Sequence, residues 1–518
     1  MRLTKEHLDR VRHIEGFPIG KDEDIIELSR PPYYTACPNP FIGDFIKEHG
    51  KPYHEATDTY HREPFAADVS EGKNHPIYNV HSYHTKVPHR AIMRYILHYT
   101  EPGDIVFDGF CGTGMTGVAA QMCQSPDPQF KMKIEKEMPY VKWGARKAVL
   151  NDLSPAATFI AANYNMPVDV EEFEREAKRI LSECEKECGW MYETLHTDGD
   201  GETSKYIDGK PIKGRINYVV WSDVFVCPNC SGEIVFWDEA VDKEKGKVKD
   251  SFRCGHCRSE LKKRDCDRAS EIIYDKALKK NIAMAKQVPV LINYSVGKKR
   301  YEKAPDEYDL DLLRRIDEVD IPYWYPTDRM SEGYNTEQPK RSHGITHVHH
   351  FYTKRNLWVL ATFCDKLIKE EKDFRLFFLC VIKSALSYGT RMVKVNIGRL
   401  LKTGGLYAMG AVSGTLYIPS INAERPLLNA VSNKITTSIK ISKHITTNLV
   451  MTSTSSLSGD SLIQKSSIDY IFTDPPFGSN LMYSELNFLW EAWLKVFTNN
   501  KSEAIVNNVQ KKGLPEYQ

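Results

Sequence analysis

The sequence predicts an α/β fold built around a parallel, Rossmann-like sheet, and three observations lead to this prediction. First, the apolar run 104–108 is followed at once by a glycine-rich turn and by a helix-compatible run of small residues, 115–122. Second, residues 147–151 form a plausible next strand that ends at an acidic residue. Third, residues 467–473 form another run of apolar and β-branched residues. Strands that alternate with helical runs are typical of a parallel sheet.

The chain is expected to divide into segments with different compositions. Its first part is rich in Pro, Tyr and His with weak periodicity, which predicts an extended arm. Apolar stripes predict two helices over 351–390, and a glycine-bearing stretch predicts loops and strands over 391–445. The expected segments are the arm (1–75), a first core part (76–170), a polar insertion (171–340) with a cysteine module at about 221–265, a helical and recognition region (341–445) and a second core part (446–518).

Length, charge and cysteine content limit the class of protein. A chain of 518 residues is long enough for about three domains. The formal net charge is +1, so any nucleic-acid surface must come from local basic patches. The N-terminus has no apolar signal core, and no apolar run approaches the ~20 residues that span a bilayer. The 12 cysteines are expected to be reduced thiols or metal ligands in a cytoplasmic protein without membrane contact.

A glycine-rich turn follows the first strand and precedes a helix, where backbone N–H groups can approach a ligand closely. A dinucleotide site is one alternative, because the turn and Gly117 also fit G-x-G-x-x-G, and a tight structural turn is another. Asp108 favours S-adenosylmethionine, since a carboxylate suits a cationic amine better than a pyrophosphate. Asp152 is suited to the ribose hydroxyls. The turn consists of Gly109, Phe110, Cys111, Gly112, Thr113 and Gly114.

The run 467–473 reads as a short buried strand and ends in the tetrapeptide Asp474-Pro475-Pro476-Phe477. Two prolines remove two N–H groups, so the local backbone offers acceptors and no donors. An exocyclic amine needs two acceptors, which Asp474 and the carbonyl of Pro475 would supply, while Phe477 would stack on the heterocycle. A base inside a duplex must be flipped out to reach such a pocket. The tetrapeptide therefore predicts methyl transfer to the amino nitrogen of a base.

Four cysteines form a second strong pattern. Cys227 and Cys230 make one C-x-x-C knuckle, Cys254 and Cys257 make another, and 23 residues separate the two. Two knuckles can complete a tetrahedral four-thiolate zinc site, whereas a redox pair needs only one C-x-x-C. Because four thiolates leave no open coordination position, the predicted zinc is structural.

Two further clusters of residues, one basic and one of histidines, can also be explained without a functional role. Basic residues around the knuckles either contact a phosphate backbone or form an ordinary solvated surface. A group of histidines, His343, His347, His349 and His350, is interpreted as a loop, because no nearby cysteine or carboxylate triad completes a metal site. The basic residues are Lys243, Lys245, Lys247, Lys249, Arg253, Arg258, Lys262, Lys263 and Arg264.

Taken together, these motifs resemble the zinc-ribbon-containing, adenine-specific DNA methylases of bacteria and archaea. The resemblance extends along most of the chain, and the zinc insertion and the N-terminal arm narrow it. It rests on the arm around 31–40, the segment His81–His89, the glycine turn, Asn151–Ala157, the C-x-x-C pairs, Gly414–Ile421, Asp474–Phe477 and Tyr483–Leu486.

The resemblance implies a class I methyltransferase sheet, S-adenosylmethionine as cofactor, double-stranded DNA as partner and the N6 amine of adenine as target. In such enzymes the segment that contains Lys86 helps to hold the methionine end of the donor. Leu153 lies beside the ribose site, and Asp460 is the candidate for contact with the donor's adenine. A role in restriction-modification or phage defence is expected.

One departure from the family concerns the C-terminal part. A complete sheet of this class has seven strands, and the sequence accounts for about four. A truncated product, a fragment, or one half that a second polypeptide completes is therefore expected. The apolar helix 481–497 would then expose Leu486, Phe488, Leu489 and Trp493 as an association surface.

Two further functions remain open from the sequence. A similar acceptor pocket tolerates cytosine N4, an RNA base or a protein glutamine. A chain that has lost activity could also serve as a DNA-binding subunit through its zinc module.

Overall fold

The computed structural model describes residues 2–197, 206–207, 209–405, 408–458 and 462–517. The chain folds into two compact units. Unit 1 comprises Met1–Ala177, Glu370–Ser384 and Lys434–Gln518, and unit 2 comprises Lys178–Lys369 and Ala385–Asn433. No helix among the described residues is long and apolar enough to cross a membrane.

The described elements follow in chain order. The helices are α1 (Lys5–Val11), α2 (Asp22–Leu28), α3 (Ile42–His49), α4 (Pro76–Asn79), α5 (His89–Tyr99), α6 (Met115–Met122), α7 (Pro128–Glu137), α8 (Pro155–Asn165), α9 (Val170–Cys188), α10 (Phe236–Ala240), α11 (Glu307–Glu318), α12 (Tyr334–His343), α13 (Lys354–Ile368), α14 (Lys372–Lys383), α15 (Leu386–Gly389), α16 (Ile397–Thr403), α17 (Leu427–Ser442), α18 (Tyr483–Leu494) and α19 (Leu514–Tyr517). The strands are β1 (Ile19–Gly20), β2 (Ile105–Asp108), β3 (Lys147–Asp152), β4 (Glu193–Leu195), β5 (Tyr206–Ile207), β6 (Lys210–Pro211), β7 (Lys213–Val226), β8 (Glu233–Val235), β9 (Val241–Asp242), β10 (Lys247–Val248), β11 (Phe252–Arg253), β12 (Glu260–Leu261), β13 (Asp267–Arg268), β14 (Ser270–Asp275), β15 (Lys280–Ala285), β16 (Gln287–Val296), β17 (Lys299–Lys303), β18 (Val393–Val395), β19 (Met409–Ala411), β20 (Ile421–Glu424), β21 (Val450–Thr454), β22 (Tyr470–Ile471) and β23 (Val496–Phe497).

Unit 1 contains a parallel sheet with the strand order β21-β3-β2-β22. Its central strands are apolar on both faces, because helices cover both sides of a parallel sheet. Val106, Val149 and Leu150 have no exposed surface, and α6 and α8 pack against β3. The predicted parallel α/β sheet is therefore confirmed.

The strand that precedes the Asp-Pro-Pro-Phe tetrapeptide is shorter and more exposed than its sequence predicts. β22 contains only Tyr470 and Ile471, and Ile471 is 59% exposed. Among the described residues β22 pairs only with β2, so it lies at an edge of the sheet. Hydrogen bonds from Asp469 N to Ile105 O and from Phe472 N to Phe107 O extend the pairing beyond both ends of the strand. The prediction of a buried strand over 467–473 is thus wrong in burial and in length.

The first 75 residues are not simply an extended arm. Three helices, α1 to α3, form within residues 5–49, and they bury apolar side chains such as Leu8, Ile25 and Phe45 in the core of unit 1. Between them, Thr452 N donates to Tyr33 O at 2.7 Å, which attaches this segment beside β21. These helices are short, so each contains too few apolar residues to produce a clear periodic pattern in the sequence.

The apolar face predicted to be exposed on the helix 481–497 is buried instead. Leu486, Leu489 and Trp493 are 3%, 5% and 5% exposed, and Phe488 is half-buried. The helix itself ends at Leu494, and the chain continues into β23, which pairs with β1. Contacts with α8 and β23 cover the helix. The predicted association surface is therefore wrong.

Unit 2 is built on a second, largely antiparallel sheet with the order β17-β16-β7-β20-β18-β19. The 14-residue strand β7 is its centre and also pairs with β4, β8 and β13. The hairpin β7–β8, which flanks the first cysteine knuckle, pairs Val224 with Val235.

Part of the region expected to contain loops and strands is helical. Residues Leu427–Ser442 form α17, although the segment is rich in Ile, Thr and Val. β-branched residues favour strands only weakly, and burial of one helix face overrides that preference. The two helices predicted over 351–390 are present as α13 and α14.

Candidate active-site cleft and metal centre

A cleft lies at the carboxyl edge of the parallel sheet in unit 1. Because β2 and β22 run parallel in register, with Val106 beside Tyr470, the residues after both strands emerge at the same edge. The glycine turn and Asp474 therefore line one cleft, although more than 350 residues separate them in the sequence. The predicted site residues that line it are Lys86, Asp108, Gly109, Phe110, Cys111, Gly112, Thr113, Asp152, Leu153, Asp474 and Pro476.

Of the remaining predicted residues, Gly114, Pro475 and Phe477 do not line the cleft. Gly114 packs inward, where an added Cβ would lie 2.7 Å from both the Cβ of Ala161 and an Asn165 nitrogen. Pro475 and Phe477 belong to the adjoining loop. Asp460 lies outside the described residues, so its predicted contact with the donor's adenine stays a prediction.

The glycine turn is fixed by hydrogen bonds to the neighbouring strand. Gly112 N donates to Asp152 Oδ2 at 2.9 Å, and Cys111 N donates to Asn151 O at 2.9 Å. Gly112 and Gly114 have φ of 49° and 74°, a region that glycine enters without strain. The hydroxyl of Thr113 is buried and has no hydrogen-bond partner among the described residues. The turn thus has a fixed backbone and a buried polar group that a ligand can satisfy.

Two carboxylates beside the turn are poorly solvated. Burial raises the pKa of Asp108 to about 7, with the charge of Asp152 as a further cause. Burial also raises the pKa of Asp152 to about 6, although the N–H groups of Ser154 and Gly112 stabilise its ionised form. A cationic ligand would relieve this cost, because an opposite charge favours the ionised carboxylates. The cleft therefore fits a ligand that carries positive charge.

Lys86 lines the cleft with its ammonium group directed elsewhere. Nζ donates to the carbonyl of His81 at 2.7 Å and to that of Tyr78, whose ring it also overlies at 4.5 Å. Burial lowers the pKa of Lys86 to about 7. These contacts fix the segment around residues 78–86, and direct contact of Lys86 with a ligand stays a prediction.

The Asp-Pro-Pro-Phe loop is open to solvent. Asp474 is exposed, and partial burial raises the pKa of its carboxyl group. Phe477 is 55% exposed. Tyr517 donates its hydroxyl to the carbonyl of Pro476 at 2.9 Å, which engages that carbonyl and not the one of Pro475. The loop thus presents a carboxylate and an aromatic face at the mouth of the cleft.

Sequence patterns missed several residues that complete the cleft. Tyr83 stacks on Trp490 with ring centroids 6.0 Å apart, and Thr85 Oγ1 lies 2.8 Å from the Tyr483 hydroxyl. Their segments were noted only as parts of the family resemblance. Leu457 follows β21, so the rule that ligands bind beyond strand ends could have found it. Glu503 has no local motif and reaches the cleft only because the chain folds back after α18.

The four predicted zinc ligands meet in unit 2. Their sulfur atoms lie within 4.8 Å of one another, with Cys227 Sγ 3.7 Å from Cys257 Sγ and Cys230 Sγ 3.8 Å from Cys254 Sγ. A Zn–S bond of about 2.3 Å in a tetrahedron places sulfurs about 3.8 Å apart. The geometry therefore fits zinc.

Both knuckles use the same backbone turn. Ser231 N donates to Cys227 O, and Arg258 N donates to Cys254 O. Ser231 and Arg258, which follow the second cysteine of each knuckle, have φ of 59° and 65°. This repeated turn directs two thiols of each knuckle to one side, so the sulfur positions are set by the backbone.

A family model described as DNA methylase matches residues 23–142, which include β2 and the glycine turn. The match supports a DNA methyltransferase. It implies S-adenosylmethionine as donor and DNA as substrate, and the glycine turn at the carboxyl edge of β2 lies where such a donor is expected. The matched range contains neither Asp474 nor the cysteine centre. Comparison with curated proteins and with solved structures gives no match.

Proposed function

We propose that this protein is an S-adenosylmethionine-dependent DNA methyltransferase that modifies the exocyclic N6 amine of adenine. The observation that carries the proposal is the common cleft: Asp474 and the glycine turn lie at the carboxyl ends of neighbouring parallel strands. The family match to residues 23–142 supports the broader activity. The two acceptors and the aromatic ring of the tetrapeptide support an amine as the target.

The donor half of the cleft fits S-adenosylmethionine by its charge and by its unsatisfied groups. Asp108 would pair with the ammonium of the donor, and Asp152 would accept from its ribose hydroxyls. The buried Thr113 hydroxyl, which has no hydrogen-bond partner among the described residues, would hold a further polar atom of the donor. When bound, the donor supplies a methyl group activated by a sulfonium. Burial raises the pKa values of Asp108 and Asp152. A bound cation would stabilise the ionised forms of both carboxylates.

The acceptor half would position the amine. Asp474 and the carbonyl of Pro475 accept the two N–H bonds of the amine, which directs the nitrogen lone pair towards the methyl group. Phe477 stacks on the flipped base and replaces part of the stacking lost in the duplex. Positioning and electrostatic stabilisation then provide most of the rate enhancement. No covalent nucleophile is required.

Unit 2 would contribute a structural zinc and contacts to the DNA backbone. The proposed zinc ligands are Cys227, Cys230, Cys254 and Cys257, whose sulfur separations match a tetrahedral ion. The exposed side chains of Lys247, Arg253 and Arg258 could contact phosphates nearby. A role in restriction-modification or phage defence is proposed from the resemblance. The cytoplasmic location, the five segment boundaries and the second polypeptide stay predictions.

The test is methyl transfer to duplex DNA followed by digestion to nucleosides and mass spectrometry. The parent chain is expected to produce N6-methyldeoxyadenosine. Asp474→Ala and the isosteric Asp474→Asn are expected to lower turnover by about 10³-fold, with the affinity for S-adenosylmethionine unchanged within about twofold. N4-methyldeoxycytidine as the product would move the target to cytosine, because the same acceptors fit that amine. Equal turnover in the variants and the parent would refute the role of Asp474.

A further inference from the structure

Strand β14 is anchored at one end by a carboxylate. Residues 270–274 are exposed, and Asp275 is the only buried residue of the strand. An apolar side chain normally anchors a hairpin to its unit, whereas a buried carboxylate is costly without a compensating charge or hydrogen bonds. Asp275 therefore needs a specific partner.

That partner is a pair of adjacent histidines. Nε2 of His349 and Nε2 of His350 each lie 2.8 Å from the same oxygen, Oδ2 of Asp275. The two imidazole rings have centroids 4.2 Å apart. The three possible ligand atoms all lie within 4.8 Å of one another. The sequence around the histidines does not reveal this carboxylate, because Asp275 is 74 residues away from His349.

Backbone N–H groups hold the carboxylate in place, whereas Nδ1 of His349 is buried without a hydrogen-bond partner among the described residues. Oδ1 of Asp275 accepts from Ala277 N at 2.9 Å and from Leu278 N at 3.0 Å, so Oδ2 is the oxygen turned to the histidines. His349 and His350 lie on the 3-10 turn Val348–Phe351. A ligand carboxylate that is oriented by a second set of hydrogen bonds is typical of metal sites.

We propose that Asp275, His349 and His350 bind a divalent transition metal of the zinc class, in addition to the four-cysteine centre. Two imidazole nitrogens and one carboxylate oxygen are ligands that zinc prefers, with bond lengths of about 2.0–2.2 Å. In a tetrahedron these ligand atoms lie about 3.4 Å apart, so each present N···O separation of 2.8 Å must open by about 0.6 Å. Small rotations of the side chains accomplish this. A solvent molecule takes the remaining position.

The competing arrangement has no metal. Both imidazoles then donate Nε2–H to one carboxylate oxygen, and the N–H of Thr346 faces Nδ1 of His350 at 3.4 Å. Binding of a metal through Nε2 places the His350 proton on Nδ1 and breaks this contact, which is longer than a normal hydrogen bond. The two arrangements differ in metal content and in the position of a proton.

The metal would fasten the hairpin β14–β15 to the turn Val348–Phe351. The loop that connects β14 to β15 contains Lys276 and Lys279, which are exposed and are sites for trypsin. Bound metal is expected to protect this loop from cleavage, because it closes the end of the hairpin that Asp275 anchors. The protection gives a readout that is independent of methyl transfer.

The experiment uses the full chain, stripped of metal under reducing conditions and titrated with Co²⁺. Cobalt bound by thiolates gives a sulfur-to-metal charge-transfer band, whereas cobalt bound by imidazole and carboxylate gives only weaker ligand-field bands. The parent is expected to bind one cobalt with the charge-transfer band and a second without it. The second cobalt should coincide with protection of the loop 276–279 from trypsin.

Variants assign the second ion. Asp275→Asn and His349→Ala are expected to lose one cobalt and the trypsin protection, while the charge-transfer band shows that the cysteine centre is intact. His347→Ala is the matched control, since its ring is next to His350 at 5.2 Å but is not one of the three ligands. It should retain both ions. A parent chain without a cobalt outside the charge-transfer site would overturn the proposal, as would an unchanged count in Asp275→Asn.

Discussion

The glycine turn and the Asp-Pro-Pro-Phe loop follow neighbouring strands of one sheet, but the protein orders them to different degrees. The turn follows β2, which is paired on both sides, and Asp108 and Thr113 are 5% and 0% exposed. The loop follows the edge strand β22, and Phe477 is 55% exposed.

This difference separates the two halves of the reaction. The donor half is largely preorganised, because backbone hydrogen bonds already fix the turn and its carboxylates. In the proposed reaction, the acceptor half would depend on the flipped base to exclude water from Asp474 and to cover Phe477. Substitutions in the turn should therefore affect folding and donor affinity, whereas substitutions in the loop should affect turnover of DNA alone.

The largest effect is expected from Gly114→Ala. An alanine there would have φ near 74° and would place its Cβ 2.7 Å from the Cβ of Ala161. We expect the free energy of unfolding to fall by about 3 kcal/mol, as for overpacking combined with a left-handed backbone. Gly43→Ala is the control, since nothing lies within 4 Å of its Cβ. Urea denaturation measures both, and equal stabilities would contradict the tight packing of the turn.

Asp108→Asn should weaken binding of S-adenosylmethionine by about 10- to 100-fold, because a charge-assisted contact to the ammonium is lost. Stability should change little, since the buried carboxyl group is already costly to ionise. Isothermal titration calorimetry provides the affinity. Asp44→Asn removes one exposed charge from unit 1 and serves as the control. An unaltered affinity in Asp108→Asn would show that the donor binds elsewhere.

Phe477→Ala should lower kcat/KM for DNA by about tenfold, the effect of losing one aromatic stacking contact with a base. Donor affinity and unfolding should stay as in the parent, because the ring is exposed. Tyr53→Ala is matched in exposure, at 53%, and should have no effect. Steady-state methylation kinetics distinguish the two variants. A destabilised Phe477→Ala chain would mean that the ring belongs to the fold.

A further effect, similar in size to that of Phe477→Ala, concerns pH. Burial raises the pKa of Asp108 to about 7 and that of Asp152 to about 6, so acid protonates both carboxylates before a cationic donor can bind. Affinity for S-adenosylmethionine should rise about tenfold from pH 6 to pH 8. The increase should shrink in Asp108→Asn. Calorimetry at constant ionic strength measures the profile, and a flat or falling profile would be inconsistent with ionised carboxylates as the ligands.

Most of the correct predictions from the sequence depend on local motifs. The turn after β2 and the two cysteine knuckles depend on residues that are close in the chain, where glycine conformation and ligand spacing act directly. The parallel sheet followed from apolar runs such as 104–108. That the glycine turn and Asp474 line the same cleft could be expected, because the carboxyl ends of parallel strands lie at one edge of a sheet.

Long-range packing accounts for what the sequence did not reveal. From the sequence, the apolar face of α18 is expected to be exposed, but β23 and α8 cover it in the folded protein. In the sequence, Asp275 looks like an ordinary hairpin residue, because its partner His349 lies 74 residues further along the chain. Neither contact has a periodic or compositional signal, because the partners are brought together only by the completed fold.

Calorimetric titration of the full chain with S-adenosylmethionine tests the central claim most directly, namely that the cleft beside Asp474 holds the methyl donor. One molecule is expected to bind per chain, with weaker binding in Asp108→Asn and unchanged binding in Asp474→Ala. Absence of saturable binding to the parent would contradict the account, and so would equal weakening by both substitutions.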